Sequence, residues 1–218
     1  MRLQLGAEFL GTLFLLVVVV GSGIMGERLA GGNEAVALLA NSLATGAGLC
    51  VLIQCLGPLS GAHLNPAVSL VEFLWGRLEG KRLLPYLLAQ VFGAVLGVWT
   101  THLMFGLEWL QRSTRDRAHP NLWFSEVVAT FGLVCTIALV GRKRVEAAPS
   151  TIALYITGAY WFTSSTSFAN PAVTLARSLT DTFCGIAPAG VAPFVLSQLC
   201  GAGLAFLVLR QVARAEPG

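Results

Sequence analysis

Apolar residues gather in six long stretches, near Leu3–Gly23, Ala35–Leu56, Leu83–Phe105, Leu122–Val140, Thr151–Thr163 and Val191–Arg210, with polar segments between them. The fifth is the shortest and extends at most to Ser165. A hydrocarbon core about 30 Å thick needs about 20 apolar residues per helical span. Lipid offers no partner for unpaired backbone groups, so spans of this kind are helices. The pattern predicts an all-α membrane protein with six transmembrane helices.

Composition supports that reading. The 218 residues are 55% hydrophobic and only 11% charged, with a mean hydropathy of +0.72, whereas soluble chains carry roughly 25% charged residues. The 24 glycines let helices approach closely where no hydrophobic effect draws them together. The first stretch has one Arg ahead of it, a Glu at position 8 and no clear small-x-small cleavage site, so it reads as a retained span rather than a signal peptide.

Charge sets an expected orientation. With the N-terminus inside, nine Lys and Arg residues fall on the cytoplasmic side (Arg2, Arg77, Lys81, Arg82, Arg142, Lys143, Arg144, Arg210, Arg214) and five outside (Arg28, Arg112, Arg115, Arg117, Arg177). The positive-inside rule then places both termini in the cytoplasm. The net charge of +3 is spread over loop ends, which leaves no footprint for nucleic acid. The five cysteines fall mostly within apolar spans without ligand spacing, as small buried hydrophobes do.

The two halves of the chain repeat. Glu8-Phe-Leu-Gly-Thr12 matches Glu126-Val-Val-Ala-Thr130, Asn65-Pro-Ala-Val68 matches Asn170-Pro-Ala-Val173, and Gln90-Val-Phe-Gly-Ala94 matches Gln198-Leu-Cys-Gly-Ala202, always in the same order. Three spans per half is an odd number, so the second half must enter the membrane from the opposite side. One channel domain over residues 1–218 is therefore expected, with inverted repeats near 1–110 and 119–212. In such repeats the site lies near the midplane between the halves.

Asn is a strong helix N-cap, and Pro costs nothing at the first helical position. Each Asn-Pro thus starts a helix. The apolar runs that follow, Pro66–Trp75 and Pro171–Leu179, are about ten residues or roughly 15 Å long, half a membrane. Two re-entrant half-helices can then meet by their N-termini at the centre, where irregular backbone is allowed only if buried in protein or lining a watery cavity. Each start carries about half a positive charge, which repels cations and protons. With each Asn oxygen capping its own helix, both amide hydrogens of each Asn are expected to face the path.

These residues resemble the aquaporin, or major intrinsic protein, family over essentially the whole chain. The likeness is carried by Asn65, Pro66, Ala67, Asn170, Pro171, Ala172, the SGAHLNPAV context, and the paired Glu-x-x-x-Thr and Gln-x-x-Gly-Ala motifs. It implies an aquaporin-like fold and a homotetramer with one pore per subunit. It also implies a selectivity filter, placed by gap-free spacing at Thr45, Gly158, Ser167 and Val173. Water channels there commonly carry an aromatic, His and Arg. Thr, Gly, Ser and Val imply a wider mouth and solutes larger than water. The phrase FANPAVTLARSLTDTF is similar to a bacterial aquaglyceroporin branch associated with arsenic resistance, which implies glycerol-like polyols and neutral metalloid acids such as arsenite and related arsenicals.

The same resemblance gives Glu8 and Glu126 the task of accepting hydrogen bonds from the re-entrant loops, and places His63 in the inner vestibule. Arg177, one turn beyond Val173, is open to two readings: it lines the outer vestibule and partly replaces the missing charge, or it pairs with Asp181. His102 reads as an interfacial residue and His119 as a solvated one. A water-selective aquaporin is the nearest alternative. A coupled transporter lacks a carboxylate cluster near either box. An enzyme, a cofactor or a metal finds no grouped residues to support it.

Overall fold

The computed structural model describes residues 1–215, with only the backbone described at Lys143 and at residues 213–215. The side chains of Lys143 and Arg214, counted above among the inner cations, and residues 216–218 lie outside the description. Among the described residues eight α-helices follow one another: α1 (Arg2–Leu29), α2 (Glu34–Ser60), α3 (Pro66–Leu74), α4 (Gly80–Met104), α5 (Pro120–Lys143), α6 (Ala148–Phe162), α7 (Pro171–Arg177) and α8 (Pro188–Ala215). A 3-10 turn, Val145–Ala147, leads into α6. No strand occurs among the described residues.

Five helices, α1, α2, α4, α5 and α8, are long and apolar enough to cross a membrane. The sixth, α6, has 15 residues. Helices outrun the apolar stretches at several ends: α1 continues past Gly23 to Leu29 and α4 begins at Gly80, because backbone hydrogen bonding does not stop where the apolar run does. The second half-helix is shorter than expected, ending at Arg177 with Ser178 as its cap.

Local chemistry fixes the ends. Asn33 Oδ1 accepts from the Ala35 and Val36 amides to start α2, and Gly61, at φ +90°, turns the chain out of it as a left-handed glycine cap does. Proline opens α3, α5, α7 and α8, where its missing N–H leaves no bond unmade.

The packing has a two-fold pattern. α1 lies on α4 and α2 as α5 lies on α8 and α6; α3 touches α4 and α8 as α7 touches α8 and α4; α2 meets α6 and α3 meets α7. Glycines permit the tightest crossings. A Cβ at Gly93 would collide with the Phe9 carbonyl, and one at Gly201 with the Val127 carbonyl. These are the glycines of the two Gln-x-x-Gly-Ala motifs, each facing the residue after a motif glutamate.

Large apolar residues such as Leu3, Leu43, Phe92, Leu103, Phe124, Leu154 and Leu196 are exposed, a surface suited to lipid rather than water. Two expectations are corrected. Cys55 and Cys200 are exposed rather than buried, and only Cys184 is fully enclosed. His102 is fully buried instead of interfacial: its Nε2 lies 2.8 Å from Thr180 Oγ1 and its Nδ1 3.2 Å from the Trp109 carbonyl, tying α4 to the segment after α7. His119 is exposed at the start of α5, 3.5 Å from Asp116.

Candidate functional site

The two Asn-Pro-Ala boxes face each other where α3 and α7 begin. Asn65 Oδ1 accepts from the Ala67 amide at 2.9 Å, and Asn170 Oδ1 from Ala172 at 3.0 Å and Val173 at 3.3 Å. Pro66 and Pro171 are the first helical residues. Ala67 and Ala172 have no exposed surface, so nothing larger fits there without displacing a neighbour. The side-chain amides differ from the expectation that both hydrogens stay free. Asn65 Nδ2 donates to the Ala169 carbonyl and Asn170 Nδ2 to the Leu64 carbonyl, each at 2.8 Å. One hydrogen per Asn is thus used to bind the opposite loop, and one is left.

The loops before the boxes are strained in matching places. Ala62 and Leu64 have φ of 47° and 50°, and Ser167 and Ala169 have 49° and 45°, three and one residues before each Asn; Thr166 adds a fifth at 63°. For residues other than glycine, the left-handed region costs roughly 1–2 kcal/mol each. Two buried carboxylates meet that strain. Glu8 Oε1 accepts from Ser60 Oγ at 2.6 Å and the His63 amide at 3.0 Å, and its Oε2 from the Leu64 amide and Gln90 Nε2, both at 2.8 Å. Glu126 accepts from the Phe168 and Ala169 amides at 2.9 and 2.8 Å and from Gln198 Nε2 at 2.6 Å. Gln90 and Gln198 also donate to Ser69 Oγ and Thr174 Oγ1, each at 2.8 Å. Bonds to a carboxylate are worth more than neutral ones. Ser60, which bonds both Glu8 and the Ala62 amide, was not singled out from sequence.

A cavity of about 380 Å³ runs past both Asn residues, from a mouth bearing His63, Glu72 and Arg77 to one bearing Arg177. Its wall is mostly apolar, with Val19, Ile53, Leu133, Ile152 and Ile156. Thr45, Ser167 and Val173, three of the expected filter positions, line it. Gly158 does not. It is exposed on the face of α6 that carries Leu154 and Phe162, while Ile152, Ile156 and Tyr160, spaced by four, face the cavity. Tyr160 therefore stands where a small residue was expected, its hydroxyl 3.3 Å from Thr45 Oγ1. Ser167 Oγ is buried and has no hydrogen-bond partner among the described residues.

The two mouths differ in charge. At one, His63 Nδ1 lies 3.0 Å from Ser69 Oγ, its ring packs on Tyr86, and Arg77 pairs with Glu72 at 3.2 Å. At the other, Arg177 is 2% exposed; its Nε donates to the Cys184 carbonyl and its guanidinium lies 3.4 Å over the Phe168 ring. It does not pair with Asp181, which accepts instead from the Thr114 amide and hydroxyl at 2.8 and 2.9 Å. Arg177 also lines a second cavity of about 600 Å³ beyond this mouth.

Arg117 joins it there, donating from Nε to the Gly185 carbonyl and from Nη1 to the Ser165 carbonyl. Burial pulls its guanidinium down to about 10, which leaves it charged at neutral pH. In the sequence Arg117 is only one of the five cations counted on the outer side. No group of His, Cys, Asp and Glu able to hold a metal occurs among the described residues.

Comparison with known proteins gives a consistent outcome. The profile of the major intrinsic protein family matches residues 2–165. The chain is 54% identical to aquaglyceroporin AqpS of Rhizobium meliloti (strain 1021) over 204 residues, 94% of this chain and 87% of the relative. It is 28% identical to the probable aquaporin TIP2-2 of Oryza sativa subsp. japonica, covering 94% of this chain and 85% of the other. The X-ray structure of the aquaglyceroporin from Plasmodium falciparum superposes with a TM-score of 0.70, at 22% identity and 94% coverage of both chains, a likeness of fold.

Proposed function

Because this chain belongs to the major intrinsic protein family, we propose that it is a passive channel for water and small neutral solutes of the polyol and metalloid-acid type, arsenite and related arsenicals included. The observation that carries this reading is the polar part of the cavity wall. Thr45, Tyr160 and Ser167 bring three hydroxyls there, one of them without a partner, and residue 173 is a valine rather than a cation. A solute bearing several hydroxyls can exchange water for these groups, while the apolar wall disfavours anything that must keep a hydration shell.

Asn65 and Asn170 each offer one remaining amide hydrogen to the passing solute. The starts of α3 and α7 add positive potential at the centre, which opposes protons and cations. Glu8 and Glu126 act as supports for the loops, and His63 lines the inner vestibule. Pro66, Ala67, Pro171 and Ala172 shape the meeting of the half-helices. Inverted repeats near 1–110 and 119–212 account for the matching packing of the halves. The charge count supports a plasma-membrane orientation with both termini cytoplasmic, and the exposed apolar surface is compatible with a homotetramer.

Proteoliposomes mixed with hyperosmotic glycerol test the reading by light scattering. Fast shrinkage followed by protein-dependent reswelling is expected, and arsenite as the osmolyte should give the same course. Shrinkage without reswelling for either solute would establish a water-selective pore. Uptake that saturates and follows an ion gradient would establish a coupled transporter.

A further inference from the structure

The geometry points to Arg117, acting with Arg177, as the charge filter of this channel: two guanidiniums gathered on Phe168 exclude cations from a path on which residue 173 carries no charge. The inference rests on the channel reading above and concerns the specificity of that same path.

Phe168 stands two residues before Asn170 in the strained loop and is 4% exposed. Arg177 covers its ring at 3.4 Å, and the Arg117 guanidinium lies 5.1 Å from the ring centre. One cation comes from the last turn of α7, the other from the segment between α4 and α5. Like charges brought together in a low-dielectric wall repel, so this convergence is maintained against its own electrostatics.

What holds the pair in place does not cancel it. The partners are the backbone carbonyls of Cys184, Gly185 and Ser165, which orient a guanidinium but bring no negative charge. Neither arginine forms an ion pair among the described residues; Glu27, Glu34 and Asp116 line the outer cavity with them, and Glu126 attracts Arg117 without bonding to it. Asp181 is bonded to Thr114, Glu27 to Arg115, Asp116 to His119 and Glu126 to the loop backbone. Arg177 lines both cavities and Arg117 the outer one, so two guanidiniums with no carboxylate bonded to either sit where the cavities meet. Fixed cations there raise the barrier to a passing cation and leave a neutral solute unaffected.

Urea and guanidinium are planar solutes of similar size that differ by one charge, and their uptake ratio in proteoliposomes tests the inference. The natural protein should pass urea and hold guanidinium back. Arg117→Gln should raise the guanidinium-to-urea ratio on the order of tenfold, and Arg117→Lys should keep it low. Thr166→Asp places a carboxylate in the same cavity with both arginines intact, at a left-handed position that Asp tolerates, and should raise the ratio too. A ratio that stays unmoved in the neutralising variants, or that rises equally with Lys, overturns the inference while urea flux leaves the channel reading standing. A natural protein that passes neither urea nor glycerol removes the reading as a solute channel, and this inference with it.

Discussion

Asn65 and Asn170 each complete the other's loop: the Asn65 amide donates to the carbonyl of Ala169, and the Asn170 amide to the carbonyl of Leu64, both at 2.8 Å. Each is at once the cap of its own half-helix and a strut for the opposite one. Neither box is a finished structure without its counterpart.

Asn170→Ala removes a helix cap, which costs about 1 kcal/mol, and leaves the buried Leu64 carbonyl without its donor, which costs about 1–3 kcal/mol. Asn65→Ala should be destabilising to a similar degree. Because the two share both loops, the double variant should lose less than the sum, as a double-mutant cycle of thermal melting in detergent would report. Additive losses would mean that the exchange of bonds does not couple the boxes.

Gly201→Ala should destabilise the α5–α8 crossing by about 1–3 kcal/mol, the usual cost of overpacking, since the new methyl meets the Val127 carbonyl. Gly93→Ala should act alike on α1 and α4. Gly203→Ala, with nothing within 4 Å of its added carbon, is the control and should be neutral or stabilising. The melting temperatures of the three variants decide the matter.

Tyr160→Ala should widen the path and raise glycerol flux several-fold relative to water, whereas Gly158→Ala, on the outward face of α6, should leave the ratio of the two fluxes unchanged. The comparison separates the residue reached by counting from the residue that faces the cavity. Equal effects of the two substitutions would put the constriction elsewhere.

Val173→Arg should suppress solute flux while sparing water, since a long cation would then project into the cavity that Thr45, Ser167 and Val173 line. Glycerol reswelling that persists at its original rate would take Val173 out of the constriction.

Asp181 lies outside the half-helix, and bonds from the Thr114 amide and then its hydroxyl hold its carboxyl below the ordinary value of 3.8. A folded-state value that is depressed contributes stability above the unfolded value and loses it as pH falls through the folded one. Asp181→Asn should therefore loosen segment 111–119 at pH 6, with faster amide exchange than in the natural protein. The two proteins should converge as the pH drops below about 3.8.

Both boxes, the two glutamates and the two glutamines could be read from the chain because each belongs to a local motif that recurs in order. Matching offsets carried the information, and hydrogen bonds such as Gln198 to Glu126 follow from it. Tyr160 was missed for the opposite reason. Counting back from Asn170 fixes a residue number but not the rotation of α6, and the segment between them contains Thr166, Ser167 and Ala169 in left-handed backbone, so chain length and direction part company. The spacing of Ile152, Ile156 and Tyr160 marks the inward face more reliably than the count. Arg117 and His102 were hidden because their partners, Ser165 and Gly185 for one and Thr180 for the other, lie dozens of residues away. No local pattern announces such contacts.

The reciprocal bonds also impose an order in time. A chain emerging from the ribosome delivers Glu8, Ser60 and Leu64 together, and the first loop can take its left-handed turn as soon as α1 and α2 have paired. The Leu64 carbonyl must then wait for Asn170, 106 residues further along. By that point α1 to α6 and the second loop have been synthesised, with only α7 and α8 still to come, so closure of the centre is a late step. Any nascent fragment that stops short of Asn170 carries an open carbonyl at its heart, a defect by which quality control could tell an unfinished channel from a finished one.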